Sequence, residues 1–269
     1  MAERILVFIP CYNCAAQVGR VVAQLQGPIA AYVDEVLIVD NGSRDATLNR
    51  AAEAIRSLRL PAKAVRNRGN FNLGGSHKAA FAYARREGFS HVLVLHGDDQ
   101  ADAADIVALL ESGEHLRHDA LLGARFAAGA RLQRYSAFRT FGNRAFNLLF
   151  TLVSGRRVLD LGSGINLFGP AVISDPSVVR YADDLRFNVY LLLGMILQRR
   201  RLLFFPISWR EEDQVSNVRL FSQARRTLAI AAAYLLRRSR FLSDDHRDQP
   251  RDAYDFDVIA EHRPELEHA

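Results

Sequence analysis

The sequence predicts an α/β fold, a mostly parallel sheet flanked by helices on both faces. Three observations carry this prediction. Strand-length apolar runs alternate with helical periodicity through the first half of the chain. The runs read apolar throughout, as strands buried on both faces do. Polar clusters follow three of them, where the open ends of parallel strands meet ligands.

Residues 4–9, RILVFI, form the first strand, and Val18, Val21, Val22 and Leu25 then recur at i, i+3, i+4 and i+7 as one helix face. EVLIVD (35–40) is the second strand, followed by a helix over 45–58 that opens on the capping residues Ser43 and Asp45. AKAVRN (62–67) is a weaker third strand, with a helix from Ser76 to Arg86 behind it. HVLVLH (91–96) is the fourth, leading to a helix over 102–112 and a strand at DALLGA (119–124). Right-handed crossovers between these strands place their C-terminal ends along one edge.

The second half reads differently. A helix over 138–153 precedes a Gly-rich turn, DLGSG (160–164), and another helix covers 183–198. The strand LLFFPISW (202–209) enters the polar loop REEDQVSN (210–217), and an Arg-flanked amphipathic helix spans 219–241. The expected organisation is one main domain over 1–220, an amphipathic helix suited to a membrane interface over 221–243, and an acidic, disordered tail over 244–269.

With 269 residues, 49% apolar and 24% charged, the chain has the composition of a folded globular protein. No stretch approaches the ~18–20 apolar residues of a membrane-spanning helix; the best, VYLLLGMIL and LAIAAAYLL, have nine. MAERILVFIPCYN shows no basic leader before a long apolar stretch, so a cytoplasmic protein without a signal peptide is expected. Charge is split along the chain: ten Arg face three acids over 196–240, and nine acids face three Arg over 244–269. The basic region invites an anionic partner.

Cys11 and Cys14 stand three apart with no second ligand set to complete a zinc site. A redox pair is one reading. The preferred one is two small residues filling a turn in a reducing cytosol.

PCYN, DNGSRD and HGDDQ close the first, second and fourth strands and converge on one edge, the outline of a nucleotide pocket. A dinucleotide-binding domain would put Gly-x-Gly-x-x-Gly in the first turn, but PCYNCAAQVG has no Gly before Gly19. Without that cradle, a diphosphate needs other neutralisation, and a divalent cation held by carboxylates is the common solution. Asp98 and Asp99 end a buried strand as adjacent like charges. That is costly unless a cation sits between them or one turns to solvent. Capping the 102–112 helix is the plainer alternative.

In this ordered set of segments the sequence resembles the family 2 glycosyltransferases of the Rossmann-like GT-A fold. It is most similar to their dolichyl-phosphate mannose synthase-like and polyprenyl-phosphate branch. IPCYN resembles the family's Pro-x-Tyr-Asn opening, VDNGSRDAT its Asp-x-Ser-x-Asp-x-Thr segment and HGDDQ its Asp-x-Asp-x-Gln metal motif. GARF matches Gly-Ser-Arg and DLGSGINLF the Asp-x-x-Ser-Gly turn, over about residues 4–220.

The resemblance implies a nucleotide-sugar face made by Pro10, Tyr12, Asn13, Asp40, Asn41, Ser43, Asp45, Asn67, Gly74, Lys78, Gly97, Asp98 and Arg125. It implies Mg²⁺ or Mn²⁺ at Asp98, supported by Gln100, with His96 and Asp99 as further ligand candidates. Arg139, Asn143, Ser216 and Arg219 would face the acceptor, and Arg210 would close over the phosphates. Catalysis would fall to Asp98, Arg139, Arg210 and Asp184. Three residues depart from the pattern: His96 stands for the first Asp of the metal motif, Cys14 for a frequent Glu and Asn166 for a frequent Arg.

The implied donor is a UDP- or GDP-sugar. The implied reaction is an inverting transfer to a polyprenyl phosphate by a peripheral enzyme at the inner membrane face. The branch usually carries membrane helices or a membrane partner subunit. A hydroxyl acceptor would require a base, for which Asp183 or Asp184 in YADDLRFN stands ready, unless that pair caps a helix. A phosphate acceptor is already anionic and needs cations instead, which Arg139, Arg210 and Arg219 supply. His96 leaves open a non-catalytic nucleotide-sugar-binding module. Arg clusters at 199–201, 225–226 and 237–240 flank apolar helical segments, as at a lipid surface. No aromatic interleaving supports nucleic acid.

Overall fold

The computed structural model describes residues 3–213 and 220–264. In chain order these form β1 (Ile5–Cys11), α1 (Val18–Gln24), β2 (Glu35–Asp40), α2 (Thr47–Ala54), β3 (Ala62–Asn67), α3 (Asn72–Arg86) and β4 (His91–Leu95). There follow α4 (Val107–Glu111), α5 (Glu114–Arg117), β5 (Ala120–Ala124), β6 (Arg131–Gln133), α6 (Ala137–Ser154), β7 (Ile165–Phe168) and α7 (Pro170–Ile173). The described residues continue with α8 (Phe187–Leu197), β8 (Leu202–Pro206), β9 (Ser208–Arg210), α9 (Leu220–Leu236) and β10 (Phe256–His262).

Eight strands make one sheet in the order β10-β3-β2-β1-β4-β7-β5-β8. β3, β2, β1 and β4 run parallel, as the apolar runs of β1, β2 and β4 predict. β7 lies antiparallel between β4 and β5. Its four residues, INLF, follow the Gly-rich turn and are too few to show a period. β1 illustrates how the sheet divides its core: Leu6 and Phe8 point into one apolar layer with α3 and α8, and Ile5, Val7 and Ile9 into the other with α1 and α2.

The C-terminal stretch departs from expectation. Residues 256–262 are no disordered tail but the edge strand β10, antiparallel to β3. Main-chain pairing to an open strand edge does not require apolar side chains, so composition gave no warning. Phe256 packs on Tyr83 at 5.7 Å between ring centroids, and Asp257 pairs with Arg68 at 2.9 Å. Residues 183–186, expected within a helix, form a loop ahead of α8. LLFFPISW splits at Ile207 into β8 and β9, and β9 pairs with β6 in a separate two-stranded sheet.

His77, on α3, is buried among Phe8, Phe81 and Phe187, with Nδ1 at 2.8 Å from the Leu73 carbonyl. Burial pulls its imidazole from 6.5 down to about 3. Between those values the unfolded chain binds a proton that the folded one does not, so stability falls as pH drops below about 6.5. At pH 5 the expected loss from this ring is about 2 kcal/mol. His77→Phe should flatten the acid limb of a urea-denaturation series. Identical limbs in the two proteins would count against this account.

Candidate functional site

Parallel pairing sets the ends of β1, β2 and β4 side by side, with Cys11 level with Asp40. Backbone bonds join the turns beyond: Asn41 N–H donates to the Cys11 carbonyl at 2.9 Å, and Gly97 N–H to the Pro10 carbonyl at 3.1 Å. A Cβ at Gly97 would lie 2.5 Å from Cys11 Sγ and 3.0 Å from the Pro10 carbonyl oxygen, so this approach requires glycine. Cys11 and Cys14 are buried free thiols under this edge. A hydrogen bond from Cys14, together with burial, pushes the Cys11 thiol well above its usual range, which opposes the thiolate a redox pair needs.

Polar side chains brace the first two turns. Asn13, at a left-handed φ of 53°, donates its N–H to Ser43 Oγ at 2.9 Å and accepts from Arg44 N–H at 2.9 Å. Thr47 Oγ1 accepts from Cys14 N–H at 2.8 Å and donates to Asp45 at 2.5 Å. Burial alone would raise the Asp45 carboxyl, but bonds from Thr47 and Ala15 hold it below its ordinary value. Asp40 is 1% exposed and accepts from Ser43 N–H at 3.1 Å and Arg66 Nε at 3.0 Å. Tyr12 stands on the rim, 44% exposed.

Asn41 and Asn67 turn inward instead. Asn41 Oδ1 accepts from Asn67 Nδ2 at 3.0 Å and Phe71 N–H at 2.8 Å, while Asn67 Nδ2 also meets Ser76 Oγ at 2.9 Å. Gly74 is a packing glycine, because a Cβ there would lie 2.5 Å from the Ala182 carbonyl oxygen. Its N–H and that of Gly75 donate to the Asp183 carbonyl at 2.5 and 3.1 Å, so that loop covers the start of α3.

The turn after β4 separates the two neighbouring carboxylates. Asp99, at a left-handed φ of 59°, is buried and held by Arg20 Nε at 2.7 Å, Gln24 Nε2 at 2.8 Å and Arg210 Nη2 at 2.5 Å. This corrects the expectation that Asp99 shares a cation with Asp98: both its oxygens already face donors. Arg210 is corrected with it. Its N–H and Nε donate to the Gln100 and Asp99 carbonyls, each at 2.9 Å, so it fastens this turn to β9.

Asp98 accepts from Gln100 N–H at 3.3 Å. Burial raises its carboxyl, and neighbouring His96 opposes that rise. His96 is lowered by burial, hence neutral near pH 7, and its Nε2 is buried with no hydrogen-bond partner. The following helical turn is capped by neither Asp98 nor Asp99 but by Asp102, which accepts from Ala104 N–H at 2.9 Å. Among the described residues, no three His, Cys, Asp or Glu side chains gather as a metal site.

Arg125 does not reach out toward a donor. Its fork grips Asp160 through Nε and Nη2, both at 2.8 Å, with a third bond from Nη2 to the Gly162 carbonyl at 3.0 Å. Burial disfavours the charged guanidinium, and Asp160 more than restores it. Trp209 lies over the guanidinium at 4.9 Å.

Arg139, on α6, pairs with Glu211 at 2.6 Å. Asn143 donates to Tyr135 OH and to the Arg139 carbonyl, each at 2.8 Å. Ser216 and Arg219 lie outside the described residues. Asp183 accepts from Lys78 Nζ at 2.5 Å and Tyr254 OH at 2.7 Å. Burial pulls Lys78 down to about 8 against the attraction of Asp183. Asp184 pairs with Arg186 at 2.8 Å and Arg226 at 3.2 Å.

Sequence reasoning did not foresee Arg20, Gln24, Asp160 or Tyr254. Arg20 and Gln24 are four apart, and that spacing puts both on one side of α1. Tyr254 sits in the stretch read as tail and carries no local signal.

A model of glycosyl transferase family 2 matches residues 6–178. The chain belongs to that family. Dodecaprenyl-phosphate galacturonate synthase of Rhizobium johnstonii is 25% identical over 168 residues, 61% of this chain and 47% of that protein. The chain thus spans about half the length of the curated relative it matches. Glucosyl-3-phosphoglycerate synthase from Mycobacterium tuberculosis, in complex with uridine diphosphate, superposes with a TM-score of 0.61 at 16% identity, over 87% of this chain and 80% of that one. The same enzyme with Mn²⁺, UDP-glucose and glycerol 3-phosphate superposes with a TM-score of 0.60 at 16% identity, over the same 87% and 80%. These superpositions show the GT-A fold. In this family 2 glycosyltransferase, Pro10, Tyr12, Asn13, Asp40, Gly97 and Asp98 lie at the sheet edge, and Ser43, Asp45 and Thr47 brace its first two turns.

Proposed function

We propose that this family 2 glycosyltransferase moves one sugar, with inversion, from a nucleotide diphosphate-sugar to a polyprenyl phosphate at the cytoplasmic membrane face. The single observation that carries the reading is the position of Asp98 and the partnerless, buried His96 Nε2 at the edge where the β1 and β2 turns meet. Asp99, next to them, is held by Arg20 and Arg210 instead. Similarity to a synthase named for dodecaprenyl phosphate supports the acceptor, and superposition on a UDP-glucose complex supports the donor.

Asp98, with His96 Nε2 and Gln100, would hold Mg²⁺ or Mn²⁺. A neutral, buried imidazole nitrogen lacking a partner fits a metal ligand. So small a protein ligand set suits a cation whose remaining positions are filled by diphosphate oxygens and water. When bound, the ion offsets the charge that develops on the departing nucleoside diphosphate. Tyr12 offers an exposed ring to the base, and buried Asp40 an acceptor for base or ribose.

An acceptor phosphate oxygen then attacks the anomeric carbon as its bond to the diphosphate breaks, and no proton needs to move. Arg139 and Asn143 would orient that phosphate after Arg139 exchanges Glu211 for it. A hydroxyl acceptor fits less well, because it needs a base and both Asp183 and Asp184 are engaged in ion pairs.

Incubation with UDP- and GDP-sugars, Mn²⁺ and a detergent-solubilised polyprenyl phosphate should yield a sugar-phosphate-lipid detectable by mass spectrometry. Transfer only to hydroxyl acceptors would overturn the acceptor. Calorimetry showing no affinity for any nucleoside diphosphate would overturn the enzyme reading itself.

A further inference from the structure

Helix α6 buries one side and exposes an apolar row on the other. Asn147, Phe150 and Ser154 are buried in the body of the protein. Diametrically opposite, at i, i+3, i+10 and i+14, Phe138, Phe141, Leu148 and Leu152 stand 73%, 74%, 61% and 73% exposed. Helix α9 packs beside α6 and bares Leu228, Leu235 and Leu236. An apolar helix face of this extent in water marks a surface meant to be covered.

The charges around it indicate what covers it. Neither helix carries an acidic residue. Exposed Arg144 lies on α6, Arg225 near the start of α9, and Arg237 and Arg240 just beyond its end. Apolar rows on helices whose own charges are all cationic match the acyl boundary and anionic headgroups of a bilayer, where long Arg side chains reach the phosphates. Among the described residues no helix is long and apolar enough to cross a membrane, so such a contact would lie along the surface.

We infer that the joint α6–α9 face is a docking surface for an anionic lipid bilayer. The inference deepens the polyprenyl phosphate reading and rests on it for its purpose. Arg139 and Asn143 occupy the side of α6 away from the stripe, so one helix links the lipid surface to the residues assigned to the acceptor phosphate. A lipid-borne phosphate would then arrive at a fixed height beside the sheet edge.

The test is co-sedimentation of the full chain with vesicles of phosphatidylcholine alone or mixed with phosphatidylglycerol. The protein should pellet with the anionic vesicles and be released by high salt. Phe138→Ser/Phe141→Ser/Leu148→Ser/Leu152→Ser should weaken this partition at least ten-fold while binding UDP or GDP as before. Arg144→Glu/Arg237→Glu/Arg240→Glu, which leaves the apolar row intact, should abolish the preference for anionic vesicles. Thermal melts check that both variants are folded. The inference falls if the wild-type chain stays in the supernatant. It also falls if the four-fold Ser variant still pellets while converting a wild-type dimer to a monomer in sedimentation velocity, since the stripe would then be a self-association face. Vesicle binding without sugar transfer would leave the surface standing and remove the acceptor.

Discussion

Asp98→Ala should lower sugar transfer by ~10³-fold or more while leaving the melting temperature within a degree or two of the wild type. Removing one group that stabilises developing negative charge costs ~10²–10³ in kcat when the group acts directly. Asp98 would act through a cation, so its loss should remove the ion's contribution as well. The folded state should lose less than in Asp99→Ala, because burial disfavours the Asp98 carboxylate and its removal relieves that cost. Asp99→Ala is the discriminating control. It strips the shared carboxylate from Arg20, Gln24 and Arg210, so it should lower the melting temperature and reduce turnover together. Steady-state transfer assays at several Mn²⁺ concentrations, paired with thermal melts, separate the two. Full activity in Asp98→Ala would remove the metal assignment.

Asp160→Ala should be the most destabilising single change near the site, by ~3–5 kcal/mol, as when one partner of a buried ion pair is removed. The Asp160 side chain is 2% exposed and that of Arg125 11%. Asp160 also accepts from the backbone N–H groups of Arg125 at 3.0 Å and Gly162 at 3.2 Å. Without it, a guanidinium that cannot shed its proton would remain buried with little beyond the Trp209, Phe126 and Tyr135 rings and one carbonyl. For a chain of this size the melting temperature should fall by roughly 10 °C. Asp160→Asn, which keeps hydrogen-bond acceptance but not charge, should lose less. A shift within experimental error for Asp160→Ala would mean that the pair contributes nothing net.

Some of this was legible in the residues. HGDDQ is an instance: two like charges at the end of a buried strand demand compensation, and that alone marks the turn as a site. The residue string does not say that the compensation differs for the two. Arg20 and Arg210 are 79 and 111 residues from Asp99. A pairing over such distance has no local period to betray it. Arg125 shows the converse, since its place in GARF suggested a donor contact, yet Asp160, 35 residues on, takes its fork.

By itself, the sequence determined the alternation of strands and helices, the parallel central sheet and the convergence of three polar turns. These follow from apolar periodicity and chain direction, which are local properties. Tertiary structure alone decided the antiparallel place of β7, the return of β10 to the edge of β3, and which charged groups face each other and which face outward. Those outcomes depend on distant main-chain partners and on burial, and a buried charge takes whatever counter-charge the fold brings within about 3 Å.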